Sequence, residues 1–164
     1  MQRRDDDSAT GRVLTNAAAN WPALSERIPG VAEHWTNTCT ASAITHHAVA
    51  SGTAGLWRIA CTPRDENAAP VAIIVKRISP VTGDFSRWQA TSDPSDPFYW
   101  GREALAYETG FFGDAWTGIR AAHCYLVDRH DDAIDLYLED VSGSPGGTWE
   151  LERYVRAAER LGRY

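Results

Sequence analysis

The sequence predicts an α+β fold, in which strands follow one another and helices are set apart from them. Three observations predict it. VAIIVKRI, from Val71 to Ile78, is the strongest strand signal in the chain. AHCYLV (Ala122 to Val127) and AIDLYL (Ala133 to Leu138) are β-type runs joined by the turn DRHDD, which predicts a hairpin. Between these strands lies one helical stretch, YWGREALAYETGFF, and a second, TWELERYVRAAERLGRY, closes the chain.

The remaining elements follow in order. Residues 1–12 are charged, small and polar, and read as a disordered tail. Residues 13–35 form an N-terminal helical segment with Leu14, Ala17, Trp21, Leu24 and Ile28 in its pattern. Pro22 interrupts that pattern and Pro29-Gly30 closes it. Thr40 to Thr45 is strand-like, the small-residue segment HHAVASGTAG follows, and LWRIAC (Leu56 to Cys61) reads as a second strand. TPRDENAAP is a turn before the strand of Val71. Ser79 to Pro97, with Pro80, Gly83, Pro94 and Pro97, reads as a long exposed loop. In the last helix Thr148 is the expected N-cap, and Leu151, Val155, Ala158 and Leu161 make the apolar stripe.

At 164 residues the chain is long enough for one domain with a real core. Its 22 acids against 16 bases leave six net negative charges, which argues against a general nucleic-acid binder, because phosphate backbones select basic surfaces. No apolar run reaches the roughly 20 residues of a membrane span, and MQRRDDDSATGR lacks the apolar core of a secretory signal. Cys39, Cys61 and Cys124 are odd in number and lack CxxC spacing, so buried reduced thiols in a cytoplasmic protein are the expectation.

Three features carry chemistry. Lys76 stands near the end of an apolar strand, where an ammonium either finds an anion or snorkels to water. Glu103 lies on one shoulder of the apolar stripe formed by Trp100, Ala104, Tyr107 and Phe111, about 60° from its centre line. Glu108 lies on the other shoulder, some 140° from Glu103, so one partner cannot hold both. LYLEDVSGSPGG is a strand breaking into a linker, where freed backbone groups can pair with the edge of a planar heterocycle. Taken singly, each has a plainer reading: a strand-end lysine, a solvated helix-edge acid and a domain-edge linker.

In this order and spacing, the three resemble the small lobe of the protein-kinase superfamily, in which a strand lysine contacts the α/β-phosphates and pairs with a helix glutamate. The closer resemblance is to the aminoglycoside phosphotransferases. SGTAGLWRI is similar to their second strand, VAIIVKRI to the lysine strand and FYWGREALAY to the glutamate helix. YLEDVSG is similar to their hinge, and AAERLGRY to the opening of the first large-lobe helix. The resemblance runs from about Thr40 to Tyr164 and implies a kinase-like small lobe over 36–141, with an antiparallel sheet of about five strands and one packed helix. The linker and first helix of a large lobe would occupy 142–164. It implies ATP as ligand, with Lys76 on the phosphates, Glu103 its partner and Ile74 against the adenine. Glu139 would offer its carbonyl and Val141 its N–H to the adenine edge, and Ser51, Gly52 and Thr53 would cover the phosphates. The loop's only glycines are Gly52 and Gly55, fewer than protein kinases carry.

The family's H-x-D-x-x-x-x-N loop and later metal-binding aspartate are not found in this sequence. His130 and Asp132 are spaced H-x-D, but Tyr137 stands where the asparagine belongs, so DRHDD is a turn. The resemblance therefore implies a lobe that stops before the catalytic machinery, with Mg²⁺ and a small-molecule acceptor held by residues this chain does not contain. No catalytic residue and no metal ligand is assigned here. His46-His47 lacks a completing carboxylate or thiol. The competing readings are a non-catalytic nucleotide-binding or interaction module, and a small α+β domain without a nucleotide. An exposed apolar face on the last helix would favour self-association.

Overall fold

The computed structural model describes residues 2–29, 39–45, 52–62, 67, 70–80, 90–112, 120–141 and 149–161. Its elements are α1 (Gln2–Ser25), β1 (Cys39–Ala43), β2 (Thr53–Cys61), β3 (Val71–Ile78), α2 (Arg102–Glu108), β4 (Cys124–Arg129), β5 (Ile134–Glu139) and α3 (Leu151–Leu161). Over these residues the fold is α+β. The strands form one antiparallel sheet in the order β1-β2-β3-β5-β4.

Side chains alternate along a strand, so each strand feeds two faces. On one face Trp57, Ile59, Ile73, Val75 and Tyr137 pack against Val13, Ala17, Trp21, Leu24 and Ile28. These last five recur at helical spacing and are all buried, which pins α1 along the sheet. On the opposite face Ile78, Ile134, Leu136 and Leu138 enclose Ala104 of α2, with Ile74, Trp100 and Tyr107 at the margin. The sheet therefore sits between α1 and α2.

The helix α1 begins at Gln2, so the segment 1–12 expected as a tail is helical from that residue onward. A helix already nucleated by a buried stripe extends at low cost, because each further residue adds a hydrogen bond. Pro22 does not interrupt it either. It lacks the N–H for the Ala18 carbonyl, yet the helix runs on to Ser25, with Trp21 and Leu24 on either side buried against the sheet.

Cys39 and Cys61 stand opposite one another in the β1–β2 register, Cα atoms 4.2 Å apart, and are joined as a disulfide. Buried reduced thiols are thus wrong for this pair, and the cytoplasmic assignment loses its ground. Cys124 remains free, and burial pushes its thiol up to about 11, so it is an inert packing group. No helix among the described residues is long and apolar enough to cross a membrane. Thr148, His46 and His47 lie outside the described residues.

Candidate functional site

Lys76 shares the α2 face of β3 with Ile74 and Ile78, because it lies at the same alternation. Ala104, with no exposed surface, fixes α2 against that face and brings the preceding residue over the strand. The Lys76 ammonium donates to the Glu103 carboxylate, Nζ to Oε2 at 2.5 Å. Their side chains keep 23% and 32% exposure, so the pair is shielded without being sealed from a ligand. Glu108 takes a different partner, Arg129, at 2.9 and 2.7 Å, as the angle between the two glutamates implies. Those bonds hold the Glu108 carboxyl below its usual range. Tyr107 is pushed up to about 12, first by burial and then by the Glu103 charge, and remains a neutral phenol.

The helix is short because Gly110 stops it. The Gly110 N–H donates to the Tyr107 carbonyl and Phe111 N–H to that of Ala106, with Gly110 at φ +70°. That is a Schellman closure, for which a residue without Cβ is suited. It also turns Phe111 out of the stripe on which it was expected, leaving it 60% exposed.

The other expected site residues surround this pair unevenly. Ile74 stands between Arg58 of β2 and Leu138 of β5 in register, half-buried on the same face as Lys76. Gly52 (φ +130°) lies just before β2, and Thr53 pairs with Ile78, beyond Lys76 along β3. The Gly52 carbonyl accepts the Ser79 N–H at 2.9 Å. Ser51 lies outside the described residues. Gly55 is not a loop glycine. It is buried within β2 beneath the Trp57 ring, where a Cβ would come within 2.1 Å of a ring carbon.

At the end of β5 the backbone groups expected to face an adenine face each other. The Val141 N–H donates to the Glu139 carbonyl at 3.1 Å, and the Glu139 N–H to the His123 carbonyl at 2.8 Å. The Glu139 carboxylate is gripped by the Arg120 guanidinium and accepts the His123 N–H at 3.1 Å. These bonds, Arg120 first, hold it down to about 2. Asp140 pairs with Arg58 at 2.7 Å.

A second polar cluster, on the α1 face, escaped the sequence reading. Arg77 donates from Nε and Nη2 to the two oxygens of Asp135 at 2.7 and 2.6 Å, and Asp135 has no exposed surface. Asn16 of α1 donates to the same carboxylate at 3.3 Å, and His130 lies 3.3 Å from it. The Asp135 bonds raise the Arg77 guanidinium further above its already high range. The available signal was the alternation itself, since an aspartate at that place in AIDLYL shares the buried face of Tyr137. His130 and Asp132 lie in the β4–β5 turn, where the His130 N–H donates to the Ala133 carbonyl. Among the described residues no three His, Cys, Asp or Glu gather in a metal-binding group.

Comparison with protein-family models, with curated proteins and with solved structures finds no match for this chain.

Proposed function

We propose that this chain is the ATP-binding lobe of a kinase-like small-molecule phosphotransferase of the aminoglycoside-phosphotransferase type. One observation carries the reading: the Lys76–Glu103 ion pair, which joins the third strand to the helix that follows it. In kinase-like enzymes that pairing holds a lysine at the α/β-phosphates. The Glu103 carboxylate orients the ammonium. Ile74 offers an apolar surface beside it, and Gly52 and Thr53, with Ser51 before them, would cover the phosphates. The Glu139 carbonyl would accept from a base edge and the Val141 N–H would donate to it, once the bond between them opens. Bound ATP would supply the transferable phosphoryl group. The described residues offer no carboxylate cluster for Mg²⁺, so no metal step is assigned to them.

A second reading, a nucleotide-binding or interaction module that does not catalyse, is favoured by the exposed apolar residues of α3. Self-association would use α3, where Leu151, Tyr154 and Val155 are 77%, 44% and 47% exposed. Light scattering across a concentration series tests that point, and a monomer throughout argues against it.

The main test is calorimetry with ATP on the wild type and Lys76→Ala. Weak binding is expected, falling at least about tenfold in the variant, the equivalent of ~1.4 kcal/mol. Binding that is unchanged in Lys76→Ala removes the site from β3.

A further inference from the structure

The Arg58–Asp140 ion pair spans a strand that neither residue belongs to. Arg58 is on β2 and Asp140 follows β5, while β3 lies between those two strands in the sheet. Arg58 is opposite Ile74, and Ile73 is opposite Glu139, which places Asp140 beside Ala72. Trp57 and Ile59, its neighbours, are buried on the α1 face, so Arg58 emerges on the face of Ile74 and Lys76. The 2.7 Å bridge therefore crosses β3 above the row holding Ala72 and Ile74. Alanine at position 72 leaves room for the crossing. The same stretch of chain is closed a second time by the Val141 N–H on the Glu139 carbonyl.

On the nucleotide reading, this is where the planar base would lie, with Ile74 beneath it and the Glu139–Val141 backbone along its edge. We propose that the Arg58–Asp140 pair is an autoinhibitory strap, which closes the base site and must swing aside before a purine enters. The inference rests on the nucleotide reading. The strap is suited to opening: Arg58 is half-exposed at 51%, so water receives its guanidinium at little cost. The Val141 bond closes a three-residue turn, and a base edge offering one acceptor and one donor would replace it with two bonds. Lys76 and Glu103 take no part in the strap, so the phosphate end of the site stays assembled while the base end is shut.

The experiment compares adenosine and ADP binding, without metal, in the wild type, Arg58→Gln, Asp140→Asn and Lys76→Ala. Releasing an exposed ion pair should tighten adenosine and ADP binding about threefold in both strap variants. Lys76→Ala should weaken ADP and leave adenosine unchanged. If Lys76→Ala weakens ADP but neither strap variant binds more tightly, the strap is wrong and the nucleotide reading stands. If no variant binds either ligand, both are wrong. In the wild type, saturating ADP should shift the Val141 amide and the Arg58 Nε resonances together. A shifted Val141 with an unmoved Arg58 overturns the strap whether or not the variants fold.

Discussion

Asp135, with no surface exposed, holds Arg77 through two parallel hydrogen bonds of 2.7 and 2.6 Å. Its neighbour Lys76 points to the other face of β3 and holds Glu103. Two adjacent cations thus meet two acids under different conditions, one sealed and one open to water. A buried charge that loses its partner is uncompensated, so Asp135→Ala should cost about 3–5 kcal/mol in urea unfolding. Glu103→Ala, at a partly exposed pair, should cost less than about 1 kcal/mol. A similar cost at both positions would mean that the two faces are not distinguished as described.

The disulfide joins cysteines 22 residues apart and restrains the unfolded chain. Loop-closure entropy puts its contribution at about 3 kcal/mol. Reduction, or Cys61→Ser, should lower the unfolding midpoint by that measure, while blocking Cys124 should do nothing comparable. Thiol counting on the unreduced, denatured protein should find a single reactive cysteine; three would refute the pairing.

Gly110 has open space around its Cβ position, so its cost of substitution is conformational. At φ +70° an alanine is strained. Gly110→Ala should therefore destabilise by about 1 kcal/mol. Amide exchange should quicken first in the last turn of α2, at Tyr107 and Glu108.

The Glu139 carboxyl, held down to about 2 from an ordinary 4.5, contributes stability that is present above 4.5 and lost as pH falls through 2. Its carboxyl carbon resonance should titrate near the lower value in the wild type. In Arg120→Ala the midpoint should move up toward 4.5. A midpoint unmoved by that substitution would place the cause elsewhere.

This polypeptide by itself should transfer no phosphate to an aminoglycoside panel. Phosphoryl transfer requires an oriented acceptor and charge at the γ-phosphate, and on the proposed reading Lys76 would supply charge only at the α/β-phosphates. Turnover that disappears in Lys76→Ala would show an overlooked catalytic group.

Local pattern alone located the central strand and the hairpin of this protein. VAIIVKRI is β3 to the residue, and the hairpin runs are β4 and β5 shifted by one or two residues toward the C terminus. The angular positions of Glu103 and Glu108 on their helix already required separate partners. These features depend on side-chain period and turn chemistry, which neighbouring residues carry. The partner of Lys76 was expected from the resemblance alone, whereas the acid that meets Arg77, the opposition of Cys39 and Cys61, and the crossing of β3 by Arg58 were decided by strand order and register. Those pairings join residues 22 to 82 positions apart, and no local signal specifies them. The start of α1 was also a tertiary decision: its polar first turns gain helix from a stripe buried further along, against a sheet that only the folded chain provides.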